Sequence, residues 1–123
     1  MYIMKKVSSL LFVLIIVCCK PNKLKINNFD NSKWRNDSLG CEGFRYVNST
    51  KIIDNKSVII GSSAKQVIDY FGLPNSSTIN NLQYYIVGSF QCDNKFASDS
   101  FDVQSVIFYL DDGFIKDIGI IEP

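Results

Sequence analysis

Apolar residues fall first into one dense run, then into segments whose period shifts from helical to strand-like. The run is Leu10–Val17, preceded by Val7, Ser8 and Ser9 and closed by Cys18, Cys19 and Lys20. Residues 20–33 are polar and asparagine-rich, the composition of a flexible tether. Cys41, Phe44, Val47 and Ile52 then form a rough apolar face, and Asp37 or Ser38 is placed to cap a helix running to about Asp54. A second helix is better marked over 63–71. Ser63 and Gln66 make a capping box, Ala64, Val67, Ile68 and Phe71 recur at helical spacing, and Gly72 with Pro74 stops it. After Pro74 comes a turn-rich loop, 75–81. Three strand-like segments follow, at 83–91, 103–110 and 114–121, with Asp111-Asp112-Gly113 as the tight turn between the last two. The order α-α-β-β-β predicts an α+β fold, two helices packed on one face of a three-stranded antiparallel meander.

The N-terminal run is too short for a comfortable membrane span, which takes about 20 residues. Lys5 and Lys6 precede it, as the basic region of an export signal does. Its ending on cysteine resembles the lipobox of bacterial lipoproteins, whose first mature residue is a diacylglyceryl cysteine. The residue before the cut is small in such signals, which favours Cys19, with Cys18 at −1, over lipidation of Cys18 behind the β-branched Val17. The expected organisation is a signal peptide over 1–18, a tether over 19–33 and one domain over 34–123. Lys20, without an aspartate after the cysteine, implies the outer membrane, with the domain facing the periplasm. Lys20, Lys23 and Lys25 are either contacts for anionic headgroups or simply a solvated basic stretch.

The exported part is close to one domain's worth of chain and buries roughly two-thirds of its unfolded surface. The net charge of +1 and the lack of a basic patch point away from nucleic acid. Beyond the signal only Cys41 and Cys92 remain, and a lone pair in an oxidising compartment is expected to form a disulfide. The chain has no histidine, and its cysteines lack metal-ligand spacing, so neither a metal nor another cofactor is expected.

The run Ile60-Gly61-Ser62-Ser63-Ala64-Lys65-Gln66-Val67 through Gly72-Leu73-Pro74 resembles the second helix and its stop in the SmpA/OmlA (BamE-like) outer-membrane lipoproteins. Gly61, Ser63, Val67, Gly72 and Pro74 carry the match, and Phe108 to Ile115 resembles that family's last hairpin. The likeness covers about residues 57–121, while Trp34–Arg45 departs from proteobacterial members in the manner of a Bacteroidota variant. It implies a lipid-anchored, non-catalytic protein-binding module in outer-membrane assembly or integrity. The unit is shared with β-lactamase inhibitor protein, which implies the alternative of an inhibitor or immunity-type protein blocking a hydrolase or toxin.

No nucleophile elbow, phosphate loop or Cys–His arrangement is present, so no enzyme and no small-molecule substrate is expected. Asp37 and Arg45 are either a binding pair or, as the spacing favours, a helix cap and a bridging arginine. Asp111 and Asp112 are better explained by turn chemistry than by acid–base work. Tyr84, Tyr85, Phe90 and Tyr109 are the candidates for an aromatic partner-binding patch, set against a place in the strand core. The sequons at Asn36, Asn48, Asn55 and Asn75 reflect composition rather than glycosylation.

Overall fold

The computed structural model describes residues 23–88, 92 and 104–122. Its class is α+β, with helices α1 (Asn31–Asn36), α2 (Phe44–Asp54), α3 (Lys56–Ile59) and α4 (Ala64–Phe71) preceding strands β1 (Ser76–Thr78), β2 (Asn81–Val87), β3 (Gln104–Asp111) and β4 (Phe114–Ile121). The strands form one antiparallel sheet in the order β1-β2-β3-β4. The three-stranded meander is therefore corrected to four strands. Ser76–Thr78, expected in a loop, folds back on β2 with Thr78 opposite Asn81. The Thr78 hydroxyl accepts the amides of Asn80 and Asn81 at 3.1 and 3.2 Å, which closes a tight turn that an all-polar strand does not announce.

The expected first helix is also corrected. A helix cannot run from residue 38 to 54, because Gly40 and Gly43 both take left-handed backbone, at φ 71° and 83°. The chain instead turns through 37–43 and starts α2 at Phe44. Asp37 begins that turn and its side chain reaches the first turn of α2. Its carboxylate accepts the Glu42 and Arg45 amides at 2.8 and 3.0 Å. α4 forms where its pattern placed it, with both arms of the Ser63–Gln66 capping box present. Arg35 lies along its far end and donates to the carbonyls of Asp69 and Tyr70, a cation placed at the negative pole of the helix.

Residues 23–33 are not a free tether. Ile26 is 3% exposed, and Leu24 and Phe29 pack on the core. The Ile26 amide donates to the Tyr70 hydroxyl at 3.3 Å. The Phe29 ring sits 5.6–6.5 Å from those of Trp34, Phe44, Tyr70 and Phe71. Three apolar side chains in a polar stretch strap the segment down by packing on the core, Phe29 among four aromatic rings.

The core lies between the helices and one face of the sheet. Trp34, Ile52, Val67 and Phe71 meet Leu82, Tyr84, Ile86, Val106, Phe108, Ile115 and Ile118 there. Cys41 and Cys92 are joined by a disulfide with their Cα atoms 5.3 Å apart. It crosses Gly88, where a Cβ would overlap the Cys92 sulfur and stand 3.1 Å from that of Cys41. The Gly88 amide also donates to the Gly40 carbonyl at 3.1 Å. The bridge thus pins the 37–43 turn to the end of β2. Among the described residues no helix is long and apolar enough to cross a membrane.

Candidate functional site

Three groups of side chains stand out, and each has a different standing. The most polar is buried. Arg45 is 1% exposed and Asp37 2%. The Arg45 Nε donates to the Trp34 carbonyl at 2.9 Å. Its Nη1 faces the Ser38 carbonyl, the Asn75 Oδ1 and the Tyr85 carbonyl at 3.1–3.3 Å. The guanidinium also lies over the Trp34 and Tyr84 rings, 4.9 and 5.7 Å from their centroids. Burial pushes the Arg45 pKa down to about 10, against the pull of the Asp37 carboxylate, so the group remains a cation at neutral pH. Burial likewise raises the Tyr84 hydroxyl, which is spent on the Gly72 carbonyl at 2.8 Å.

These bonds tie α1, the 37–43 turn, the residue after Pro74 and β2 to one point. Asp37 and Arg45 therefore act as cap and bridge. Asn75, noticed in the sequence only as a sequon, is the second half of that bridge. Its Oδ1 also accepts the Tyr85 amide at 2.8 Å, and its Nδ2 donates to the Ser38 carbonyl. Its position directly after the Gly72–Pro74 stop is the one local hint of such a role.

The second group is the face of the sheet turned away from the helices. Strand register sets it in three rows: Tyr85–Ser105–Ile121, Gln83–Ile107–Gly119 and Asn81–Tyr109–Asp117. Tyr85 and Tyr109 are half-buried there. The Tyr109 ring leans towards Gly119, whose missing side chain leaves room for it; a Cβ there would lie 3.7 Å from the ring. Gln83 Nε2 donates to the Ser105 hydroxyl at 2.9 Å. Asp117, at the rim, is the one charged group in these rows.

The aromatic patch expected from the sequence is thus divided. Tyr84 is fully buried on the core face and is withdrawn from it, because alternation along β2 sends it towards Phe71, Phe108 and Trp34. Tyr85 and Tyr109 share the opposite face. Phe90, like Cys18 and Cys19, lies outside the described residues. Asp111 and Asp112 are exposed in the β3–β4 hairpin, where Asp112 and Gly113 take φ 52° and 84°, the backbone a two-residue hairpin turn requires.

The third group includes Lys23 and Lys25, two of the lysines weighed above as headgroup contacts. A groove of about 610 Å³ runs between the 23–26 strap and α4, bordered by Lys23, Lys25, Arg35 and Lys65, with Asp69 the one carboxylate. Lys65 pairs with Asp69 at 2.6 Å, and both are exposed. Among the described residues no three His, Cys, Asp or Glu side chains are grouped to hold a metal.

Compared with family models, curated proteins and solved structures, the chain matches none.

Proposed function

We propose that this is a lipid-anchored envelope protein whose domain binds another protein through the face of its sheet turned away from the helices. The observation that carries the reading is the face itself. Tyr85, Tyr109 and Ile121, each half-buried, surround the buried Ile107 and Ser105, with Asp117 at the rim the one charged group in these rows. Aromatic side chains around an uncharged centre are the usual anchors of a protein interface. A non-catalytic role is supported by Arg45 and Tyr84, the strongly perturbed polar cluster among the described residues, whose hydrogen-bonding atoms are directed to backbone carbonyls and to Asn75.

The anchor rests on the signal that ends at Cys19, and with it the outer-membrane, periplasm-facing location. The likeness to the SmpA/OmlA family, and a role in outer-membrane assembly or integrity, rest on Gly61, Ser63, Val67, Gly72, Pro74 and the final hairpin. The experiment is crosslinking in intact cells followed by purification from solubilised membranes. The wild-type chain is expected to recover a specific envelope protein, and Tyr85→Ala with Tyr109→Ala to lose it while keeping the native thermal transition. Recovery that is unchanged in the double variant would remove the sheet face from the proposal. Recovery of no envelope protein by the wild type would remove the binding role.

A further inference from the structure

We infer that the groove between the 23–26 strap and α4 is the membrane-apposed face of the domain and takes the phosphate headgroups of an anionic leaflet. This rests on the lipid anchor at Cys19 proposed above. Two independent observations lead to it.

The first is reach. Leu24 packs on the core and Ile26 is buried and hydrogen-bonded to Tyr70, so the chain is already part of the domain at residue 24. Cys19 is covalently five residues away. Five residues span at most about 17 Å even when fully extended. A tether running to residue 33 would have let the domain rotate freely above the bilayer. The observed strap ties one edge of it to within that short reach of the lipid, and the groove opens at that edge.

The second is charge. Lys23, Lys25, Arg35 and Lys65 border the groove against the single carboxylate of Asp69. Arg35 is engaged with the Asp69 and Tyr70 carbonyls and Lys65 with the Asp69 carboxylate; of the groove's cations Lys23 and Lys25 stand nearest Cys19 in sequence. Juxtamembrane lysines within a Debye length of an anionic surface are attracted to it. Lipid headgroups satisfy reach and charge together, which a soluble anion does not.

The test uses the full lipidated chain reconstituted into vesicles of phosphatidylcholine alone or with a quarter phosphatidylglycerol. The vesicles are washed at alkaline pH and then treated with an amine-acylating reagent read by mass spectrometry. In the anionic vesicles Lys23, Lys25 and Lys65 are expected to react about fivefold more slowly. Lys116, on β4, should be unchanged, and the difference should vanish in high salt. Equal reactivity in the two lipids overturns the inference, as does a uniform fall that includes Lys116. Release of the protein in the alkaline wash is a separate failure, that of the anchor, and is seen before any labelling is compared.

Discussion

Replacing Arg45 by methionine removes the guanidinium and keeps most of the stem volume. Four acceptors lose a donor: the carbonyls of Trp34, Ser38 and Tyr85 and the Asn75 Oδ1. Three keep another. Trp34 O still receives the Asp37 amide, Ser38 O the Asn75 side chain and Asn75 Oδ1 the Tyr85 amide. The loss is therefore chiefly of charge-assisted bonds, about 1.5–3 kcal/mol each, with ~1 kcal/mol for the cation over two aromatic rings. Against this stands relief from desolvating the cation, the same burial that brings its pKa down to about 10. Removing one member of a buried charged network typically costs ~3–5 kcal/mol, and the surviving second donors place this case near the lower end, ~3 kcal/mol.

Trp34 is the only tryptophan and is fully buried beneath Arg45, so its fluorescence reports the transition in urea. For a domain of this size ~3 kcal/mol also lowers Tm by roughly 12–24 °C. Arg45→Lys should recover little of the loss, because one ammonium cannot match the Nε and Nη1 positions at once. A methionine variant within about 0.5 kcal/mol of wild type, the scatter of an ordinary surface change, would refute the bridging role. So would a lysine variant as stable as the arginine.

Three further outcomes follow from the same structure. Removing the disulfide with Cys41→Ser and Cys92→Ser should cost about 4 kcal/mol in the chain-entropy account of a loop this long, measured by urea denaturation; a shift below ~1 kcal/mol would mean that the polar bridge alone holds the 37–43 turn. Gly88→Ala should prevent the bridge from closing without backbone movement, since its Cβ overlaps the Cys92 sulfur, and thiol titration of the folded protein should then find free cysteine where wild type shows none. Asp117 is held below the ordinary carboxylate pKa, first by the Ile118 amide and then by Lys56. Its small contribution to stability should be present above about pH 4 and be lost as the pH falls through its lowered value, so Asp117→Asn should flatten the acid limb of the stability curve.

The same Asp117 carboxylate protects β4, which is an edge strand. It accepts the Ile118 amide at 2.8 Å, so that amide is not offered to a further strand. Earlier in β4, Ile115 exchanges hydrogen bonds with Gly61 and Ser62, each at 2.8 Å. Ile115 and Ile118 are thus both engaged along that edge, which works against strand addition over the first half of β4.

Elements whose ends are set by local chemistry were legible in the sequence. α4 has its cap, apolar stripe and stop within twelve residues of one another, and β4 starts from a hairpin turn set by Asp112 and Gly113. The pairing of Cys41 with Cys92 followed from their being the only candidates beyond the signal. The strap was not legible, because Leu24, Ile26 and Phe29 carry no period and their burial depends on a core assembled from distant elements, for Phe29 the rings of α1, α2 and α4. Nor was the direction of Tyr84 against Tyr85. Both faces of β2 and β3 bear apolar residues, so alternation ranks neither. The choice was made by the helices, which need Tyr84 beside Phe71 and Phe108 and its hydroxyl on Gly72.

The bridge at Arg45 belongs to the same class. Its acceptors come from residues 34, 38, 75 and 85, and no window of sequence contains them all. Sequence alone determined what depends on neighbours along the chain: the caps and stops, the hairpin turn and the cysteine pair. Tertiary structure decided what depends on neighbours in space. It turned a polar stretch into a strap, put one tyrosine in the core and the next half-buried on the opposite face, and buried a charge where α1, the 37–43 turn, Asn75 and β2 meet, because burial and hydrogen-bond satisfaction are properties of the packed chain.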